Sequence, residues 1–182
     1  MNGGQAPPRR RVPWGRILDG VAIALILFAL WRLFVAPRFL NAPGAYPAPR
    51  VAFARLDGGA PFTIASAHGR VLFLDFFATW CTPCRAELPF IQSWERAHPH
   101  ALVVPVDVGE PTAVVRRFAL AHAMRHVVLD PDRLSRGFFQ VLGFPTIVTI
   151  DPQGNIRATW TGFNPAIGLA MSNALQSLSK KR

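Results

Sequence analysis

The chain has 182 residues and a formal net charge of +10, and the charge is unevenly spread. Before Val51, seven arginines stand against one acid, a net of +6, whereas the remainder carries 13 basic and 9 acidic residues, a net of +4. No basic run interleaved with aromatic residues occurs within this remainder, so the composition argues against nucleic-acid binding. About 130 residues are enough to bury a core without disulfide staples.

Residues 17–36 are almost wholly apolar and follow four arginines, at positions 9, 10, 11 and 16. A helix of that length, at ~1.5 Å per residue, covers the ~30 Å hydrocarbon core of a bilayer. The positive-inside rule then keeps the N-terminus in the cytoplasm and exports the rest. A cleaved signal peptide is the alternative, although no clean cleavage site follows the apolar stretch. The predicted organisation is a basic N-terminus (1–16), a transmembrane anchor (17–36), a proline-rich linker (37–50) and one domain (51–182).

Strand-like and helix-like patterns alternate through this domain. Predicted strands cover residues 62–64, 71–77, 101–108, 127–129, 146–150 and 156–161. Predicted helices cover residues 83–97, 112–123, 132–140 and 164–179, with Thr112 and Asn164 as N-caps. Gly154 lies in a turn sequence that joins the last two strands as a hairpin. The alternation predicts an α/β fold, with a central mixed sheet flanked by helices.

The only two cysteines, Cys81 and Cys84, lie where a buried strand gives way to a helix. The free N–H groups of a helix N-terminus stabilise a thiolate and lower a cysteine pKa from ~8.5 into the range ~3.5–7.5. Pro83, beside Thr82 within the motif, suits a first helical turn because its missing N–H is not needed there. We expect Cys81 at an exposed tip as the nucleophile, and Cys84, more buried, as the resolving thiol.

Two other roles for the cysteines are open at this point. A permanent structural disulfide over this spacing closes almost no loop, so it would stabilise the fold little. A structural zinc site needs about four ligands, and His122 and His126 are spaced to supply two of them if one helix carries both.

Asp75 is the only charged residue in the apolar run 71–77. An ionised carboxylate in such surroundings is costly, and burial should raise its pKa. Because Asp75 precedes Cys81 on the strand that leads to it, we predict that it exchanges a proton with Cys84. The alternative is an aspartate that reaches solvent at the strand end.

Residues 73–84 (FLDFFATWCTPC) resemble the active-site segment of the thioredoxin superfamily. Residues 85–89 (RAELP), 143–146 (GFPT) and 150–154 (IDPQG) are similar to segments of its membrane-anchored TlpA/ResA/DsbE group. The resemblance implies a thioredoxin-like fold and a thiol–disulfide oxidoreductase. It also implies a redox-active Cys81–Cys84 disulfide in place of any cofactor or metal.

The resemblance assigns roles to further residues. It implies that Pro145 is cis and faces the disulfide, that the backbone around Phe144 pairs with a substrate strand, and that Trp80 shields the cysteines. Thr82, Pro83 and Glu87 are then expected to support the active site. For Glu87 the alternative is an ordinary acid in the first turn of a helix.

The resemblance finally implies a location and partners. It places the domain in the periplasm, anchored by a single span in the bacterial cytoplasmic membrane. There it would reduce protein disulfides with electrons from a DsbD/CcdA-type transporter, in cytochrome c maturation or cytochrome oxidase assembly. Two alternatives stay open, a disulfide oxidase or isomerase and a copper- or haem-handling assembly factor that uses the cysteines as ligands.

Overall fold

The computed structural model describes residues 14–30 and 45–179. The chain divides into two compact units, Met1–Leu40 and Asn41–Arg182. In the first unit, helix α1 spans Trp14–Leu30. Among the described residues, no helix combines the length and the apolar character required to cross a bilayer. The remainder of the predicted anchor, from residue 31 to 36, lies outside the described residues.

The described part of the second unit contains eight strands and four α-helices. The strands are β1 (Tyr46–Pro47), β2 (Ala52–Arg55), β3 (Phe62–Thr63), β4 (Leu72–Phe77), β5 (Leu102–Val108), β6 (Val128–Asp130), β7 (Thr146–Ile150) and β8 (Asn155–Thr161). The helices are α2 (Thr82–Ala97), α3 (Thr112–Ala121), α4 (Leu134–Phe138) and α5 (Ile167–Ser179).

All eight strands join one mixed sheet, in the order β1-β8-β7-β4-β5-β6-β2-β3. The central strand β4 pairs in parallel with β5 and antiparallel with β7. Every residue of β4 is buried, which explains its continuous apolar sequence, because a strand covered on both faces has no polar side to alternate with. The predicted mixed α/β sheet is therefore confirmed.

The residues of β4 alternate between the two faces of the sheet. Phe76 points to one face, where its ring contacts that of Phe139 at a centroid distance of 5.3 Å. Phe73 points to the other face, where it meets Trp94 of α2 edge to face at 5.1 Å. Asp75 has the same parity as Phe73, so the sheet places its carboxyl on the face that α2 covers.

The ends of two helices differ in detail from expectation. Thr112 is not the N-cap of α3; Pro111 occupies that position in an extended conformation, and Thr112 is the first helical residue. The prediction was wrong because a proline immediately before a helix already fixes the extended entry of the chain. Asn164 precedes α5, and its Oδ1 accepts the backbone N–H of Ala166 at 2.9 Å, in the manner of a capping side chain.

The same helix α3 ends earlier than predicted. It stops at Ala121, and Ala123 then takes a positive φ of 49°. His122 and His126 are therefore not on one helix, which removes the i,i+4 geometry that a shared metal site required.

Two strands near the start of the domain were missed. Tyr46–Pro47 lies within the range predicted as linker, yet it pairs with β8, and Ala48 donates its N–H to the Gly154 carbonyl at 2.9 Å. Ala52–Arg55 pairs antiparallel with β6. Both are edge or near-edge strands, in which proline and short length are tolerated.

Candidate active site

Cys81 and Cys84 form a disulfide at the start of α2, with their Cα atoms 5.3 Å apart. Cys81 is the N-cap of the helix, and its Sγ accepts the Cys84 N–H at 3.2 Å. Pro83 lies in the first turn, as predicted. The Cys81 sulfur thus stands where the free N–H groups of the helix favour negative charge.

Both cysteines are buried in this oxidised form. Cys81 is 4% exposed and Cys84 is 8% exposed, so the expectation of an exposed Cys81 and a more buried Cys84 was wrong. The reason is packing: the two cysteines belong to an apolar cluster that includes Val115 and Ala119 of α3, and Phe144 packs against it. The exposed tip consists instead of Trp80, Thr82 and Pro83.

Asp75 is buried, as predicted, and is 5% exposed. Its Oδ1 finds no hydrogen-bond partner among the described residues. Burial, and secondly the negative charge of Glu87, raise the pKa of Asp75 to about 7. A carboxyl group that titrates near neutrality is suited to taking up and returning a proton.

Glu87 is 1% exposed, so it is not an ordinary surface acid of a first helical turn. Its Oε1 accepts the backbone N–H of Asn164 at 3.1 Å. Burial raises the pKa of Glu87 to about 7, against the opposing effect of that hydrogen bond. Glu87 and Asp75 therefore form an interacting pair of buried acids on the side of the sheet that α2 covers.

The loop before β7 brings a further predicted group to the cysteines. The Phe144–Pro145 peptide bond is cis, which confirms the expectation from the resemblance. The ring of Phe144 meets that of Trp80 edge to face at a centroid distance of 6.0 Å. Trp80 is 70% exposed and Leu142, two residues before Phe144 in the chain, is 90% exposed, so exposed apolar side chains accompany the Phe144 ring that packs against the cysteine cluster.

A second pair of acids, Asp107 and Glu110, lies near the active site and was not predicted from the sequence. The Oγ1 of Thr79 donates to Glu110 Oε1 at 2.7 Å, and the Thr79 N–H donates to Glu110 Oε2. The Glu110 N–H in turn donates to Asp107 Oδ1 at 3.2 Å. Asp107 is 1% exposed and interrupts an apolar strand just as Asp75 does, so the same signal pointed to it.

The pKa of Asp107 is also raised, to about 7. Burial is the main cause, and the side chain of Glu110 and the charge of Asp130 add to it, against the opposing effect of the Glu110 backbone N–H. Two aspartates on adjacent parallel strands therefore have the same raised pKa, although the hydrogen bonds around them differ.

A mixed sheet, a CxxC disulfide at the N-terminus of the helix that follows its central strand, and a cis-proline loop whose Phe144 packs against the cluster of the two cysteines define a thioredoxin-like thiol–disulfide oxidoreductase. Residues 45–159 match the model of the AhpC/TSA family, and the chain belongs to that family.

Named relatives agree with this class. The chain is 31% identical over 107 residues to the thiol-disulfide oxidoreductase ResA of Bacillus subtilis (strain 168), a match that covers 57% of this chain and 60% of that protein. The match thus spans less than two-thirds of that relative. The ResA of Geobacillus kaustophilus is 27% identical over 145 residues, which cover 78% of this chain and 82% of that protein.

Solved structures show the same architecture. The thiol:disulfide interchange protein DsbE from Chlorobium tepidum superposes with a TM-score of 0.69 at 26% identity, covering 76% of this chain and 99% of that chain. StoA from Bacillus subtilis superposes with a TM-score of 0.59 at 27% identity, covering 71% of this chain and 99% of that chain.

Proposed function

We propose that this protein reduces disulfides in other proteins outside the cytoplasm, with Cys81 and Cys84 as the exchange pair. The observation that carries the proposal is the Cys81–Cys84 disulfide at the N-cap of α2, in a domain where the buried acids Asp75 and Glu87 titrate near pH 7. A redox-active disulfide there supplies the chemistry, and a buried carboxyl on the sheet face that α2 covers supplies the proton transfer.

The reaction starts from the dithiol, which a donor must generate by supplying two electrons and two protons. The Cys81 thiolate attacks a substrate disulfide, a Cys81–substrate S–S bond forms, and the first substrate sulfur leaves as a thiolate. Cys84 then loses its proton to Asp75 and attacks the Cys81 sulfur. The Cys81–Cys84 disulfide re-forms, the second substrate sulfur leaves, and the two protons of the dithiol end on the substrate thiols.

We propose that the substrate binds where Trp80, Leu142 and Phe144 expose apolar surface beside the cysteine cluster. A substrate strand pairs with the backbone at Phe144, next to Pro145, and its cysteine then lies against Cys81. The support is the contact of Trp80 with Phe144, together with the packing of Phe144 against the cluster that contains both cysteines.

For the cellular setting we propose the organisation inferred from the sequence: a cytoplasmic segment (1–16), a membrane anchor (17–36), a linker (37–50) and a periplasmic domain (51–182). The donor is then a membrane protein of the DsbD/CcdA type. The substrates belong to cytochrome c maturation or cytochrome oxidase assembly. The apolar stretch, the flanking arginines and the similarity to proteins named ResA and DsbE support this setting.

Trapping tests the exchange and its partners. Cys84→Ser should accumulate mixed disulfides through Cys81, because the resolving thiol is gone, and mass spectrometry of the adducts identifies the substrates. Cys81→Ser is the matched control and should trap none. Trapping by Cys81→Ser and none by Cys84→Ser would reverse the two roles.

The direction of electron flow needs a separate measurement. We expect the equilibrium of the pair with glutathione to give a potential nearer the ~−270 mV of thioredoxin than the ~−120 mV of a strong oxidant. A value at the oxidant end would favour the disulfide oxidase instead.

A further inference from the structure

The turn that carries the first cysteine is tied to the connection between β5 and α3. The parallel strands β4 and β5 pair through Phe77 and Asp107, so their carboxyl ends open side by side. The chain then runs from Phe77 into Thr79 on one side and from Asp107 into Glu110 on the other. Sites in α/β sheets form at such an edge, because the loops that leave it are neighbours.

Both carboxylate oxygens of Glu110 accept hydrogen bonds from Thr79. One oxygen accepts the Thr79 hydroxyl at 2.7 Å, and the other accepts the Thr79 backbone N–H. Hydrogen bonds to an ionised carboxylate are about twice as strong as those between neutral groups. The two hydrogen bonds to Glu110 therefore hold both the backbone and the side chain of Thr79 in place.

Thr79 lies inside the turn that ends at Cys81. The Cys81 N–H donates to the Ala78 carbonyl at 3.1 Å, which closes a turn around Thr79 and Trp80. Ala78 is fully buried at the end of the sheet, so the near side of the turn is fixed by packing. Glu110 is the group that fixes its outer part.

Glu110 is itself held in place. Its N–H donates to Asp107 Oδ1 at 3.2 Å, and the preceding Gly109 has a φ of +83°, a conformation that side chains rarely adopt. A Cβ at Gly109 would also lie 2.4 Å from Arg133 Nε. The backbone that presents Glu110 is thus determined by its neighbours on both sides.

We propose that Glu110 is a positioning residue, which holds Thr79 and thereby the turn of Trp80 and Cys81 in the geometry for exchange. The inference rests on the proposed exchange function and adds a residue to it. Nucleophilic attack on a disulfide requires alignment of three sulfurs, and small displacements of a reacting group cost rate steeply. A turn released from Glu110 would keep its thiol but lose that alignment.

The test uses the full chain with three substitutions. Thr79→Val removes the hydroxyl at nearly constant shape, Thr79→Ser keeps it, and Glu110→Gln leaves one acceptor and no charge. We expect Thr79→Val and Glu110→Gln each to lower the rate constant for attack by Cys81 on a disulfide substrate about tenfold. Thr79→Ser should stay within about twofold of the wild type, because it restores the bond.

Matched controls separate positioning from loss of a polar group elsewhere. Thr159 is half-buried, and its hydroxyl makes no hydrogen bond to a residue that the structure describes. Glu95 is a half-buried acid of α2 whose carboxylate likewise makes no hydrogen bond or ion pair within the described ranges. Thr159→Val and Glu95→Gln should leave the rate constant unchanged.

A double variant completes the design. If Glu110 acts only through Thr79, Thr79→Val with Glu110→Gln should be about as slow as the slower single variant. Any of three outcomes would overturn the proposal. The rate losses of the two single variants could multiply in the double variant, Thr79→Ser could be as slow as Thr79→Val, or both single variants could react at the wild-type rate. Failure of the wild type itself to exchange would instead refute the proposed function, so the two failures are distinct.

Discussion

The domain contains two buried aspartates with the same raised pKa of about 7, and they differ in the hydrogen bonds that surround them. Each aspartate has one oxygen with no hydrogen-bond partner among the described residues, and Glu87, the acidic neighbour of Asp75, accepts one backbone N–H. Asp107 accepts the N–H of Glu110, and both oxygens of Glu110 are occupied by Thr79.

On the roles proposed above, this difference in hydrogen bonding divides two chemically similar pairs between two tasks. The carboxyl of Asp75 makes few hydrogen bonds that would have to be broken when its proton moves, so it can serve as a base. The carboxylate of Glu110 instead has both oxygens engaged by the turn at Thr79. Burial and a neighbouring acid are common to both aspartates and therefore do not decide which task each pair performs.

The largest effect should come from Asp75→Asn on the second step of the exchange. General base catalysis contributes ~10²–10⁴-fold, so we expect release of the mixed disulfide at pH 7 to slow by about 100-fold. In the wild type the release rate should rise as the pH passes through about 7, because only the ionised Asp75 accepts a proton. In the variant that rise should vanish; stopped-flow decay of the mixed disulfide from pH 5.5 to 8.5 measures both.

Asp107→Asn is the matched comparison for this experiment. The asparagine Oδ1 can still accept the Glu110 N–H, and the group no longer titrates. The pH profile of release should keep its wild-type midpoint in this variant. If Asp107→Asn abolishes the pH dependence of release and Asp75→Asn leaves it unchanged, the tasks assigned to the two pairs must be exchanged.

Much of this arrangement is readable from the sequence. The order of strands and helices follows from the alternation of buried strands with amphipathic helices, and the six predicted strands lie within one or two residues of observed ones. Asp75 stands out because a charge within an apolar strand is costly unless it has a use. Strands β1 and β2 do not stand out, because short edge strands have little apolar pattern.

The missing parts of the site depend on contacts between distant segments. Glu110 and Thr79 are 31 positions apart, and only the parallel pairing of β4 with β5 brings them together. Burial of Cys81 likewise depends on α3 and on the loop at Phe144. Local pattern fixes neither, since register and helix packing are properties of the assembled sheet.

A second effect, on stability, should be common to both aspartates. Each has a folded pKa raised to about 7 from 3.8, so the folded state holds more protons than the unfolded state between these values. Stability is then fully present below about pH 4 and falls as the pH rises through 7. For Asp75 we expect a loss of about 3 kcal/mol, measured by urea unfolding of the oxidised protein at pH 4.5 and 8.

Asp75→Asn should flatten that pH dependence, and Asp107→Asn should flatten it to a similar extent, because both pKa values are raised to about 7. An equal slope in wild type and Asp75→Asn would mean that Asp75 is not buried in the protonated form at low pH.

The smallest effect should come from Asp130→Asn, because Asp130 interacts with the pair of Asp107 and Glu110 and not with the pair of Asp75 and Glu87. Asp130 accepts the N–H groups of Leu134 and Ser135 at 2.8 and 2.9 Å, and its charge helps to raise the pKa of Asp107. Asparagine keeps one acceptor, so one hydrogen bond is lost at a cost of about 1 kcal/mol. At pH 8 the variant also relieves the repulsion on ionised Asp107, whereas at pH 5 Asp107 is protonated and nothing is relieved.

The loss of stability on Asp130→Asn should therefore be larger at pH 5 than at pH 8, as urea unfolding at the two values would reveal. The pH midpoint of mixed-disulfide release should not move, since Asp130 does not contribute to the shifted pKa of Asp75. A moved midpoint would mean that the two acidic pairs titrate as one system, and the separation of a proton-accepting pair from a turn-holding pair would then fail.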